Sequence, residues 1–296
     1  MASPILPEDL LHRVRLIEIT TRKIVDDLMS GSYRSNFKGA GVQFSEHRLY
    51  VPGDDIRHID WKVSARARDP MLKRYEEERE LTVFLIVDVS ASGEFGTTKK
   101  LKSEVAAEIG GMLAYAAAHA GDKVGVLLFS GKIEKIIPPK RGRQHILRII
   151  RDILSFKPAS KGTDLRGALE SANRIMKHSG VVFVISDFLA DGYDVALRRL
   201  ARRHDVVAIG IADEREKLIP DVGQILLLDP ETGEETFVDT GSYAFKQWMK
   251  EFQTGYETDT RSALKGGRVE WLPINTKEDY GAAVVRFFGA RARRRN

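Results

Sequence analysis

Asp88, Ser90 and Ser92 stand at alternate positions in Asp88-Val89-Ser90-Ala91-Ser92-Gly93, directly after the apolar run Leu81 to Val87. One carboxylate and two hydroxyls on a tight loop are hard oxygen donors, suited to a small divalent cation such as Mg²⁺ or Mn²⁺. Two further elements of the same kind follow: Gly162-Thr163-Asp164, just before a helical pattern, and Ser186-Asp187, at the end of a second apolar run. The candidate metal site is therefore Asp88, Ser90, Ser92, Thr163 and Asp187, with Asp187 binding directly or through a water. So few carboxylates leave the ion under-neutralised, with affinity for one more anionic oxygen, which an Asp or Glu of a protein partner would supply. Taken alone, Asp-x-Ser-x-Ser also reads as a helix-capping loop in which Ser90 or Ser92 satisfies free N–H groups. Asp164 is read as the cap of the helix that begins at Leu165.

Strand ends are where such donors must be placed. Leu81 to Asp88 and Val181 to Ser186 are nearly continuous apolar runs, as in strands buried on both faces. Between and after them strands alternate with helical patterns. Helices are predicted at about Lys99 to Ala120, Gln144 to Ser155, Leu165 to Lys177 and Tyr193 to Arg203, and strands at Lys123 to Ser130 and Asp205 to Ile211. Ile133 to Pro138 is predicted as an antiparallel edge strand ended by Pro138-Pro139. A hairpin around Pro230 to Gly233, a helix near Tyr243 to Phe252, a strand at Arg268 to Pro273 and a helix from about Lys277 to Phe288 complete the pattern. This is an α/β fold, a doubly wound, mostly parallel sheet flanked by helices, in which ligands bind at the carboxyl ends of the strands. Upstream, helical spacing from Glu8 to Ser30 precedes a stretch rich in Gly, Pro and charge between Gly39 and Arg79. The expected organisation is an N-terminal helix with a small β-rich unit (1–79), the α/β domain (80–290) and a basic tail (291–296).

Composition narrows the chemistry. The 296 residues contain no cysteine, which removes disulfides, thiolate nucleophiles and Cys-based metal sites. Neither a membrane span nor a secretory signal is evident, so a soluble cytoplasmic protein is expected. Gly125 to Lys132 lacks phosphate-loop spacing, the seven histidines are scattered, and Ser90 lacks the Gly-x-Ser-x-Gly elbow of a hydrolase. A binding module rather than an enzyme is expected. The net charge of +5 is modest. Arg141 and Arg143, the arginines at 198, 199, 202 and 203, and Arg291 with Arg293 to Arg295 define the alternative of nucleic-acid binding, although no stacking aromatics accompany them. The C-terminal run is read as a solvated terminus.

The set Asp88/Ser90/Ser92, Thr163 and Asp187, with the Gly-Thr-Asp-Leu run at Gly162 to Leu165, resembles the metal-ion-dependent adhesion site of von Willebrand factor A domains over about Leu81 to Ile211. Upstream, Arg48-Leu49-Tyr50-Val51-Pro52-Gly53-Asp54-Asp55-Ile56-Arg57, with Ile59-Asp60-Trp61-Lys62 and Ala65-Arg66, is similar to the signature of the bacterial DUF58 proteins. That resemblance implies a MoxR-type AAA+ ATPase as partner and a scaffold or co-chaperone role. Two readings of the signature stand open. Its Asp and Arg residues form a charge network with Trp61 packed beneath, or Arg57, Asp60, Trp61 and Arg66 form a docking surface for the ATPase.

Overall fold

The computed structural model describes residues 43–76, 81–96, 100–217, 219–228 and 233–295; the helix predicted from Glu8 to Ser30 lies outside them. The described residues fall into two compact units, one within Lys38–Leu81 and one from Thr82 onward.

In the small unit, strand β1 (Gln43–Leu49) pairs antiparallel with β2 (Met71–Glu76). Helix α1 (Trp61–Ala67) lies between them in sequence. Asp60 starts α1 by accepting the Lys62 and Val63 amides, and left-handed Arg68 (φ 64°) ends it.

The large unit is built on a six-stranded sheet of β3 (Thr82–Asp88), β4 (Lys123–Phe129), β5 (Ile133–Lys140), β6 (Val181–Ser186), β7 (Asp205–Ala212) and β10 (Glu270–Asn275). Its order is β10-β7-β6-β3-β4-β5, and every pairing is parallel except that of β5. A separate hairpin joins β8 (Gln224–Leu228) and β9 (Glu235–Asp239). The period of two along β3 divides the core. Phe84 and Ile86 face α4 (Leu165–Ile175), α5 (Asp194–Ala201) and the end of α7 (Tyr243–Gly267). On the other face lie α2 (Lys102–His119) and α3 (Arg143–Leu154), where Gly110 of α2 lets Ile153 and Ile185 approach closely. Phe288 of α8 (Tyr280–Arg295) meets Phe183 of β6 edge to face. A short helix, α6 (Glu214–Lys217), follows β7. Among the described residues no helix is long and apolar enough to cross a membrane.

Three expectations are corrected. Pro138 and Pro139 do not end β5 but lie inside it, where the register shifts between Val124 and Val126 and the missing N–H groups disturb least. Helix α7 does not stop at Phe252 but runs on to Gly267, past Gly255, because Ala263 and Leu264 bury themselves in the core. The arginine run at 291–295 is solvated at Arg293 and Arg294 but not at Arg291. It continues α8, and Arg291, 1% exposed, pairs with Asp205 (2.5 Å) and Glu270 (3.2 Å). On the basic helix α5, Arg198 is bound to Asp194 (2.7 Å), and Arg203 beyond its end donates to the Asn173 and Met176 carbonyls.

His204, between α5 and β7, is 5% exposed, and neither ring nitrogen has a hydrogen-bond partner among the described residues. Burial, then the charge of Arg203, lowers its pKa from 6.5 to about 4. The folded value lies below the unfolded one, so the neutral ring's contribution is complete above pH 6.5 and is lost as pH falls towards 4. Across that window the loss is about 3 kcal/mol. The expected outcome for His204→Leu is a flatter dependence of the urea midpoint on pH between 7 and 4, with the wild-type slope retained if the ring contributes nothing.

Candidate metal centre

Parallel pairing of β3 with β4 and β6 brings three loops to one sheet edge. Val89 donates to the Phe129 carbonyl (2.8 Å), turning the chain out of β3, and residues Ala91–Glu94 form one 3-10 turn. Ser90 sits at the cap position of that turn, yet its side chain makes no capping hydrogen bond. Its hydroxyl lies 3.0 Å from that of Ser92 instead. The capping explanation of the motif therefore fails for Ser90. The Asp88 carboxylate is oriented by two donors, the Ser90 amide (2.9 Å) and the Ser186 hydroxyl (2.7 Å). Burial, then the neighbouring Asp187 charge, raises the Asp88 pKa to about 6. Charging Asp88 is thus opposed first by burial and second by Asp187.

Asp187 is held differently. One oxygen accepts the Leu189 amide (3.1 Å), and the other accepts Lys102 Nζ (2.8 Å), which also reaches Glu216 (2.5 Å). Lys102 is only 3% exposed and is the first residue of α2, at the positive end of a helix. Burial opposes its charge, but Asp187 and Glu216 outweigh burial and hold its pKa above the ordinary lysine value. Tyr256 of α7 donates its hydroxyl to the Asp187 carbonyl. The next residue, Phe188, is left-handed (φ 61°) and buried against Trp271. Such backbone strain in a bulky residue persists only where its surroundings enforce it.

Whether these residues fit a divalent ion has a geometric test. Neighbouring corners of an octahedron with metal–oxygen bonds of about 2.1 Å lie about 3.0 Å apart, the separation of the two serine hydroxyls. The serine pair meets that spacing, which is also that of the hydrogen bond between the two hydroxyls. Asp187 carries Lys102 on one oxygen and the Leu189 amide on the other. Asp88, Ser92 and Asp187 line one small cleft, and a second cavity of about 200 Å³ opens on Asp88 and Ser90 beside α2. Thr163 lines neither. It is tied to the same edge through its neighbour Asp164, whose amide donates to the Ser130 carbonyl (2.7 Å) and whose side chain caps α4 through the Gly167 amide (2.8 Å). Among the described residues no three His, Asp or Glu side chains form a self-sufficient cage.

Residues 46–260 match the family described as "Protein of unknown function DUF58". The chain belongs to the DUF58 family. An uncharacterized protein of Mycobacterium tuberculosis is 32% identical to this DUF58 chain over 285 residues, covering 95% of the chain and 89% of its own length. The uncharacterized protein YeaD of Bacillus subtilis is 30% identical over 128 residues, covering 43% of the chain and 30% of its own length. Among solved structures, the hypothetical protein BatB of Bacteroides thetaiotaomicron (16% identity, TM-score 0.48) covers 72% of the chain and 99% of itself. The VWA domain of SpRpn10 (13%, TM-score 0.38) covers 69% and 93%. Likenesses of this size do not transfer function.

The DUF58 signature residues lie in the small unit. Arg48 holds Asp54 through two bonds of 2.7 Å, and Arg57 pairs with Asp55 (2.6 Å). Asp60 is bound by His47 and Lys73 rather than by arginine. His47 foremost, helped by the Val63 amide and Lys73 against partial desolvation, lowers its pKa to about 2. Trp61 corrects the expectation of packing: it is 70% exposed, close in sequence to the exposed Ile56 and Val51. Arg66 is exposed as well. Sequence reasoning missed Lys102, Glu216 and the orienting role of Ser186. One available signal was the lysine at the start of an otherwise apolar helix, against the local dipole.

Proposed function

We propose that the α/β unit is a protein-interaction module in which Asp88, Ser90 and Ser92 hold Mg²⁺ or Mn²⁺, with Asp187 acting through a water and Thr163 closing the site from the neighbouring loop. The ion would supply an open position for a carboxylate of a protein partner. The observation that carries this reading is the Ser90 hydroxyl, withheld from capping and set at ligand spacing from Ser92. The Asp187 charge beside the buried Asp88 carboxylate supports it. We read the site as a binding centre, its oxygen donors gathered on one short loop at the sheet edge. Membership of DUF58, with the resemblance noted from the signature, supports a MoxR-type AAA+ ATPase as partner and a scaffold or co-chaperone role, for which we propose a cytoplasmic setting.

A thermal melt in EDTA and in about 10 mM Mg²⁺ or Mn²⁺ tests the site. With a Kd near ~1 mM, stabilisation is about 1.4 kcal/mol, a shift of a few degrees. The shift is expected in the wild type and not in Ser90→Ala/Ser92→Ala. Equal behaviour of both proteins at all metal concentrations would remove the ion from the proposal. Complex formation with a MoxR-type ATPase, followed with and without EDTA, then tests the partner; a complex indifferent to EDTA would separate partner from metal.

A further inference from the structure

Beside Asp187, but distinct from the cation loop, a cavity of about 620 Å³ opens between the loop after β6 and helix α7. Its rim carries four carboxylates, Asp191, Asp194, Glu251 and Asp259, against the single guanidinium of Arg198. Arg198 is already taken by Asp194 (2.7 Å), while Asp191 and Asp259 have no ion-pair partner among the described residues. This net negative groove sits on a chain whose overall charge is +5. The charges of Asp259, Asp194 and Asp191 also act on the buried Tyr193 hydroxyl, behind burial and the opposing Thr260 hydrogen bond in strength.

The groove is not polar alone. Phe252 of α7 lines it half-exposed and stacks on Trp248, also half-exposed, with ring centroids 5.7 Å apart. Leu189 adds an apolar edge on the opposite side. Aromatic faces next to unpaired carboxylates suit a cationic side chain with an apolar neighbour, because the ring faces attract the cation and cover its alkyl stem. The stack extends one helical turn beyond the cavity, so the complementary ligand is longer than a single amine.

The geometry points to this groove as the docking site for a basic segment of a partner protein, in which a lysine or arginine enters between Asp191 and Asp259 and an adjacent apolar side chain packs on Phe252 and Trp248. This contact needs no metal and stands apart from the cation proposal.

The test uses the full chain in EDTA, screened against a random-peptide display library, followed by titration with the synthetic form of the most enriched peptide. Enrichment of Lys or Arg beside Leu, Phe or Trp is expected. Binding should weaken at least about tenfold in Asp191→Asn/Asp259→Asn and in Phe252→Ala, and should fall between about 50 and 300 mM salt. Both variants change exposed side chains, and matching wild-type melts show that the fold is kept. No basic enrichment, or equal binding by wild type and variants, would overturn the assignment. Spermidine binding as tightly as the peptide would overturn it too, giving the groove to a small polyamine. Because EDTA is present throughout, failure here leaves the cation loop untouched, and loss of the metal-dependent melt shift leaves the groove untouched.

Discussion

Replacing Lys102 by Met is expected to destabilise the large unit by about 3 to 5 kcal/mol, the usual consequence of removing one member of a buried ion pair. The physical reason is the company it leaves behind. Asp187 is nearly buried, Glu216 is partly buried, and Asp88, already above its usual pKa, lies beside them. Without the ammonium, three carboxylates share a site of low polarity. For a domain of this size the fall in Tm should be roughly 6 to 20 °C. Adding Asp187→Asn and Glu216→Gln to Lys102→Met should recover much of that loss, since the penalty lies in uncompensated charge and not in the lysine's own packing. If the single and triple variants melt together, the ion triad is not what stabilises this edge. Urea midpoints at neutral pH measure both.

Arg291→Ala is expected to cost a similar amount, about 3 to 5 kcal/mol, for two reasons acting together. The side chain is the largest fully buried one among the described residues, so its truncation opens a cavity between α8 and the sheet. Asp205 at the start of β7 and Glu270 at the start of β10 would also lose the guanidinium they share. Arg291→Met, which keeps most of the volume, should sit between wild type and Arg291→Ala. A chain cut after Ala290 should be as unstable as Arg291→Ala. A solvated tail would give the opposite result, with every variant melting like the wild type.

The sheet was legible in the sequence because its central strands are buried on both faces and read as unbroken apolar runs; Val181–Ser186 is predicted and found at the same residues. The strand ends Asp88 and Asp187 were legible for the same reason, since a carboxylate closing such a run must emerge at the edge. What the sequence hid is partnership across distance. Lys102 and Asp187 are 85 residues apart, and Arg291 and Asp205 are 86 apart, so nothing local distinguishes them from surface charges. Helix α7 was hidden for another reason. Gly255 and the threonines at 254, 258 and 260 weaken its local propensity, and Thr254 and Thr258 turn their hydroxyls back onto the preceding turn. Only the anchoring of Ala263 and Leu264 in the core carries it to Gly267. Trp61 was misjudged because a large aromatic in a charged segment is normally drawn inward, whereas here it stands open to solvent.

The two outer strands of the six-stranded sheet share a property. Edge strand β5 contains Pro138 and Pro139, and edge strand β10, paired only with β7, contains Pro273 opposite Gly210. Proline offers no amide hydrogen to an incoming chain, so neither border presents an uninterrupted template for a seventh strand. Self-association into ribbons is disfavoured from both sides, and a partner is discouraged from adding its own strand to this sheet.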